Sequence, residues 1–368
     1  LIHQLLRLSE NLRADRGQPP LERLDALVDA ERFAWTILPY VARSFSFCIA
    51  VLPRRTARPL AVAYLYCRML DTYEDLPATV SDKEAALSAF IDRFAAFEQS
   101  GGRDPIGAAP SIGDAKAQDD LDGAYLLLLR HADRVDRFFA TLPEAQRAAI
   151  LRLVRRMGNG MIWALRTFAA QGGELQSDEQ LSRYCFEVLG NPVLFAEELQ
   201  RLDCGLTPEV EPVRVALAAT VGESLQLANV ARDLEKDCAN GVFYLPHLKA
   251  ADGASRAVAI AAARRRLLVR AIECGRAFLP FMSGVPSPRI SLARGAALLM
   301  ALFALSFWQG IAERLGFSID ERGDRITKTA SVGLLVRGVL SRVGFDAVLV
   351  RLDLRFADAQ ARLALRDR

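Results

Sequence analysis

Histidine is scarce: His3, His131 and His247 are the only three in 368 residues. No HExxH or clustered-histidine site can be built from them, so any chemistry rests mainly on carboxylates, Arg and Tyr. Cysteine is sparse as well, with six residues at 48, 67, 185, 204, 238 and 274 and no CxxC pair. That argues against a zinc ribbon or a disulfide scaffold and fits core thiols in a reducing compartment. No charge of one sign prevails: 47 Lys plus Arg stand against 44 Asp plus Glu, a net charge of +3. A strongly basic nucleic-acid binder is thereby excluded, and no nucleic-acid partner is expected. Strand-like alternation is rare, and no NG or DG turn joins two alternating runs. No secretory signal pattern stands near residue 1, so the expected location is cytoplasmic.

Helix formers fill the space that strands leave. Hydrophobic residues make up 51% of the chain, enough for a sizeable core. Apolar periodicity predicts helices over about 21–40, 42–52, 56–76, 82–99, 119–140, 143–171, 178–203, 210–238, 254–280, 288–315 and 330–364. The stretch from Ser100 to Asp120 is rich in Gly, Pro and Ala, has no apolar period, and reads as a mobile surface loop. Both of its flanks are helical, so a single all-α domain over 1–368 is expected. One uncharged run, Gly295 to Ala312, reaches the lower edge of membrane-spanning length. Its Ala content, Gln309 and two glycines favour a buried core helix instead.

Two acidic stretches carry the candidate chemistry. In Arg68-Met69-Leu70-Asp71-Thr72-Tyr73-Glu74-Asp75, Asp71 and Asp75 are four residues apart. They share a helix face about 6 Å apart along the axis, with Arg68 one turn earlier. In the second stretch Asn229, Asp233 and Asp237 form an oxygen-bearing stripe about 12 Å long, beside Arg232. Like carboxylates at this spacing destabilise a helix unless a cation joins them, and Mg²⁺ prefers such oxygens. Taken singly, each stretch can equally be a solvated charged face. Taken together, they describe two metal-binding walls facing one pocket, with Arg available for phosphate oxygens.

The order of these segments resembles the squalene and phytoene synthase family, over about residues 40–330. Arg43-Ser44-Phe45-Ser46-Phe47 is similar to the family's opening Arg/Lys-Ser-Phe segment. Leu70 to Asp75 resembles the first aspartate-rich motif in its squalene-synthase form. Arg156-Met157-Gly158-Asn159-Gly160-Met161 is similar to a Met-Gly-x-Gly-Met segment. Tyr184-Cys185 with Val188 and Gly190 resembles Tyr-Cys-x-x-Val-Ala-Gly. Asn229 to Asp237, followed by Phe243-Tyr244-Leu245-Pro246, resembles the second aspartate-rich motif and its tail. The resemblance implies an all-α isoprenoid-synthase-type helical bundle with a central apolar cavity. It also implies a prenyltransferase that joins two prenyl diphosphates head to head through a cyclopropyl intermediate.

In that reading Asp71, Glu74, Asp75, Asn229, Asp233 and Asp237 hold Mg²⁺, with Mn²⁺ as an alternative. Arg43, Ser44, Arg68 and Arg232 grip diphosphate. Tyr184 handles a proton or stabilises a cation. Arg325 and Lys328 contact diphosphate or, if the product is squalene, the phosphate of NADPH. The squalene-like forms of two motifs favour C15 substrates over C20.

Three departures from the family pattern stand out. Lys236 precedes Asp237 where Glu is usual, and Glu235 lies about 200° around the helix from Asp233, pointing away from a metal. Leu189, Asn191 and Pro192 replace small or apolar residues after Tyr184, and Pro192 is expected to kink the helix. The position of a diphosphate-holding Tyr falls on Phe307 or Trp308. Gly158 and Gly160 are not a dinucleotide loop, because no strand precedes them; close helix approach is the expected use. Trp163 and Phe168 read as core or substrate wall. The tail from Arg337 to Arg368 carries seven Arg against four Asp, interleaved with apolar residues. As a basic amphipathic helix it could touch the inner membrane surface peripherally; as a packed C-terminal helix it would only expose an Arg face.

Overall fold

A computed structural model describes residues 17–113, 115–288, 291–316, 318–319 and 336–365, with residues 4, 7, 8, 10, 11 and 14 before them. Among the described residues the secondary structure is helical apart from one isolated bridge between Glu174 and Phe243. The chain forms two compact units, residues 1–163 and 164–368.

The first unit contains α1 (Leu21–Asp25), α2 (Ala30–Ala42), α3 (Ser44–Ala50), α4 (Arg54–Asp75), α5 (Val80–Asp92), α6 (Ala95–Gln99), α7 (Asp120–Arg130) and α8 (Ala132–Ala140). It ends inside α9 (Glu144–Ala170). The expected helix over 21–40 is interrupted because Asp29 caps a new start, its side chain accepting from the Arg32 N–H at 2.6 Å. Within α4, Pro59 has no N–H to offer the carbonyl of Arg55. The amide of Gln146 donates to that carbonyl instead, at 3.1 Å, so the proline costs no buried acceptor. The helix stops at Asp75 because Leu76 precedes Pro77 and turns extended, with ψ 143°.

An aromatic cluster of Tyr66, Phe90, Phe94 and Phe139 anchors this unit, with ring centroids 5.3–6.0 Å apart. At its edge Arg93 grips Asp136 with two bonds of 2.7 and 2.8 Å, and the Tyr66 hydroxyl donates to Asp136 at 2.8 Å. Among the described residues, 100–113 and 115–118 carry no helix or strand. This segment is tethered all the same: Arg93 donates to the Gly107 carbonyl at 3.2 Å, and the Tyr73 hydroxyl donates to that of Pro110 at 2.7 Å.

The second unit contains α10 (Asp178–Cys185), a π-turn (Phe186–Gly190), α11 (Asn191–Asp203), α12 (Pro212–Ala239), α13 (Gly253–Gly275), α14 (Phe278–Gly284), α15 (Leu292–Arg314) and α16 (Arg342–Leu365). α12 is its hub, flanked by α13, the π-turn, α11, α14 and α15. A π-turn precedes Pro192: its wider hydrogen-bond register carries the chain past the missing N–H, and Pro192 lies in the first turn of α11.

The uncharged run lies in α15, which is long and apolar enough to cross a membrane by length and composition. Its Trp308 is fully buried, edge-on to Phe356 of α16 at 4.8 Å. Trp308 also fills the space left by Gly275 of α13. α16 turns Phe345, Leu349, Leu352 and Phe356 inward, and Asp353 accepts from Arg276 at 2.5 Å. The C-terminal helix is therefore packed along one face, while Val343 and Leu354 stay exposed on the other.

Candidate functional site

In the first unit, the acidic stretch forms the last turns of α4. That is the negative end of the helix dipole, where cationic side chains are favoured and carboxylates are not. α4 nevertheless puts Asp71, Glu74 and Asp75 there, with no basic residue in its last turn. Desolvation, reinforced by Asp75 against the pull of Arg68, pushes Asp71 up to about 6. Desolvation, then Asp75 and Asp71, push Glu74 up to about 8.

Arg68 is held beside this end. Its guanidinium pairs with Asp71 at 3.3 Å, donates to the Tyr64 hydroxyl at 3.1 Å and lies over the Tyr125 ring at 5.0 Å. Its Nε–H is buried with no partner. The Tyr64 ring meets Phe45 at 5.8 Å, and its hydroxyl reaches the Val41 carbonyl at 3.4 Å. These contacts bring the Arg43-Ser44-Phe45 segment to the acidic helix. Arg43 forms the corner between α2 and α3 with φ 47°, a value that non-glycine residues rarely adopt. It is exposed, and Ser44 is half-buried beside it. Tyr73 points inward to the loop and serves structure. Gly158 of α9 lets that helix close on Ile91 and Leu70: a Cβ there would stand 2.6 Å from Ile91 Cδ1. Sequence spacing alone gave no sign of Tyr64 or Tyr125, which set the direction of Arg68.

In the second unit, α12 repeats the arrangement. Asn229, Asp233 and Asp237 are half-buried near its C-terminal end, with Lys236 and Glu235 exposed around the helix. Arg232 closes on Asp233 with bonds of 2.8 and 2.5 Å and lies over the Phe307 ring at 5.7 Å. Phe307 is thus the residue that meets the site, and Trp308 belongs to the core. Glu235 is turned away as expected and has its own task. It pairs with Arg264, which also donates to the Ala231 carbonyl at 2.9 Å, and this bond holds the Glu235 carboxyl below its usual range. The displaced acid fastens α12 to α13.

Lys236 is exposed, which favours the solvated reading of this departure. Lys236→Glu should leave kcat and KM within about twofold, as surface changes do. A larger change in steady-state kinetics would assign Lys236 to the diphosphate.

Tyr184 is buried at the end of α10, within an aromatic trio with Phe168 and Tyr244. The π-turn that follows it packs directly on α12. A Cβ on Gly222 would stand 2.4 Å from Gly190 Cα and 2.5 Å from Gly190 N. Gly222 lies two turns before Asn229, so this contact fixes the height of the acidic stripe. Arg325 and Lys328 lie outside the described residues.

Among the described residues, no three His, Cys, Asp or Glu side chains converge as a ready-made metal cage. Mg²⁺ does not need one: it is usually held by one or two carboxylates together with substrate phosphates and water. Hard oxygen donors crowded at negative helix ends, two of them with raised pKa values, fit that ion.

The same crowding has a measurable sign. The folded protein keeps protons on Asp71 and Glu74 that the unfolded chain releases near 3.8 and 4.5. The metal-free protein should therefore lose stability as pH rises from about 4 to about 8. Mg²⁺ needs the deprotonated groups. Its addition should raise the melting temperature more at about pH 8.5 than at about pH 5.5. An equal rise at both values would show that these carboxyls are not the ligands.

A family model described as squalene/phytoene synthase matches residues 38–314, which include both acidic helix ends, Arg43-Ser44 and Tyr184. The chain belongs to that family. A Botryococcus squalene synthase from Botryococcus braunii is 32% identical over 210 residues, 56% of this chain and 39% of that protein. A probable squalene synthase from Neurospora crassa is 28% identical over 228 residues, 59% of this chain and 43% of that protein. The chain thus matches about two-fifths of the length of these curated relatives. A solved structure of TcSQS with the ligand BPH1237 aligns with a TM-score of 0.64 at 18% identity, covering 91% of this chain and 98% of that one. That likeness shows the fold, an all-α isoprenoid-synthase fold.

Proposed function

We propose, from this family membership, that the chain joins two prenyl diphosphates head to head through a cyclopropyl diphosphate. Farnesyl diphosphate is the proposed substrate, with presqualene diphosphate or squalene as product. The observation that carries the reading is the family match over 38–314, within which both acidic stretches occupy C-terminal helix ends. Mg²⁺, when bound, supplies the positive charge that stabilises the leaving diphosphate.

The protein's own part follows from the residues. Asp71, Glu74 and Asp75 on one helix, and Asn229, Asp233 and Asp237 on another, present the oxygen ligands. Arg43, Ser44, Arg68 and Arg232 address diphosphate oxygens; the unpartnered Arg68 Nε–H is a donor ready for one. Arg232 is closed on Asp233 here, so gripping a diphosphate requires it to exchange that carboxylate for phosphate.

Ionisation breaks the C1–O bond of one substrate, and its electrons leave with the diphosphate. The second substrate's double bond attacks the allylic cation. Loss of a proton then closes the cyclopropane, and the departed diphosphate takes that proton by way of the Tyr184 hydroxyl. The faces of Phe168, Tyr184 and Tyr244 offer negative quadrupole to the passing cation. Arg325 and Lys328, the candidates for a nicotinamide phosphate, lie outside the described residues.

Chain length and the final step are tested together. Farnesyl and geranylgeranyl diphosphates are supplied separately with Mg²⁺, with and without NADPH, and the hydrocarbons are identified by mass. The proposal expects C30 products from farnesyl diphosphate, with squalene only when NADPH is present. A preference for the C20 donor, or a phytoene-like triene, would overturn the substrate assignment.

A further inference from the structure

The tail after the second acidic helix is more than a continuation of the motif. The Tyr184 and Tyr244 hydroxyls stand 3.4 Å apart, with ring centroids 5.2 Å apart and planes at 44°. Phe168 meets both rings nearly edge-on, at 6.1 and 5.8 Å. Both tyrosines are less than a tenth exposed. Each of these buried hydroxyls can donate or accept, so their contact allows one to direct the other.

Tyr244 is also the better anchored of the two. The Val242 N–H donates to the Asp237 carbonyl at 2.9 Å, which ties the segment to the last acidic residue of α12. The Phe243 N–H donates to the Gly173 carbonyl at 2.8 Å, and the Leu175 N–H donates to the Phe243 carbonyl at 2.9 Å. This clamp requires glycine at 173. Its φ is 93°, and a Cβ there would stand 2.2 Å from the Gly241 carbonyl oxygen. The Tyr244 backbone is thus fixed from both sides, while Tyr184 ends α10 just before the π-turn.

We infer that Tyr244 is a positioning residue for Tyr184, donating its hydroxyl hydrogen to the Tyr184 oxygen so that the Tyr184 proton faces the reacting centre. The inference rests on the proposed role of Tyr184. The bond is longer than a typical O–H···O contact, as pairs in substrate-free catalytic sites often are. Donation from Tyr244 would also stabilise the Tyr184 oxygen whenever its own proton moves on. The sequence offered Tyr244 only as part of a motif tail; the role comes from the geometry.

The test is a double-mutant cycle on the full chain with farnesyl diphosphate and Mg²⁺: the parent, Tyr184→Phe, Tyr244→Phe and the pair. Tyr244→Phe keeps the ring and its packing and removes one hydroxyl. It should lower kcat by about tenfold or more with KM within about twofold, and move the alkaline limb of the kcat–pH profile upward. Added to Tyr184→Phe, it should cost nothing further, because a group acting through another has no effect once that other is gone. Three results would overturn the inference: full additivity of the two losses, a Tyr244→Phe effect confined to KM or melting temperature, or an unchanged kcat and pH profile. If Tyr184→Phe is impaired and Tyr244→Phe is not, the inference alone fails. If Tyr184→Phe keeps the parent kcat, the role assigned to Tyr184 fails and the inference falls with it.

Discussion

Asp71→Ala and Asp233→Ala should each abolish measurable turnover while leaving the helix content of the protein unchanged. Each removes a carboxylate from the C-terminal end of a helix, where the backbone carbonyls already hold negative potential. Neither side chain is part of the apolar core, so the fold does not depend on it. Loss of one preorganised electrostatic partner of a developing charge costs roughly 10²–10³ in kcat, and a lost ligand that also lowers metal occupancy costs more. The two substitutions should act alike although they lie on different units of the chain. That parallel is the informative part, because a structural role for either helix end would not link it to the other. Near-normal kcat in either variant, with circular dichroism unchanged, would show that its helix end takes no part in the chemistry.

Gly222→Ala should destabilise the protein, against the usual preference of helices for alanine. In an open helical position that exchange gains roughly 0.5–1 kcal/mol. At Gly222 the new methyl would meet the backbone of Gly190 and Leu189, at 2.4–2.9 Å, and backbone cannot swing aside as a side chain can. Overpacking of this kind costs about 1–3 kcal/mol or more. In a chain of this size that is a fall in melting temperature of roughly 1–4 °C.

Gly310 in α15 is the internal control, since nothing lies within 4 Å of its added Cβ. Gly310→Ala should hold or raise the melting temperature. The Gly222 variant should also lose kcat, because the π-turn that follows Tyr184 and the helix carrying Asn229 and Asp233 are pushed apart. Equal melting temperatures for the two variants would contradict the packing described here.

Much of this was legible in the sequence, and the reason is spacing. The i, i+4 and i, i+4, i+8 oxygen patterns gave the two acidic faces, and apolar periodicity located the helices that carry them. Where one periodicity ran on, the structure sometimes breaks it for a local reason. Asp29 starts a fresh helix by capping it, and His131 separates α7 from α8. Pro192 follows a π-turn that changes the hydrogen-bond register. A helical period cannot register that change.

Partnership was less legible than position. Arg232 stood beside Asp233 as a phosphate grip, yet the structure closes it on that same aspartate. Tyr64, Tyr125 and Arg264 lie in other turns or other helices, and only folding brings them to Arg68 and Glu235. The raised pKa values of Asp71 and Glu74 likewise come from burial that no local spacing encodes.

The central claim is head-to-head coupling, and the most direct measurement follows carbon from substrate to product. Purified protein is incubated with farnesyl diphosphate and Mg²⁺ without reductant, and the diphosphate-bearing products are analysed by mass spectrometry, with an EDTA-treated sample beside it. The account predicts a C30 cyclopropyl diphosphate formed with release of one diphosphate per pair of substrates, absent in EDTA and restored by Mg²⁺. Products that keep a single C15 skeleton, or unchanged farnesyl diphosphate at full metal occupancy, would contradict it.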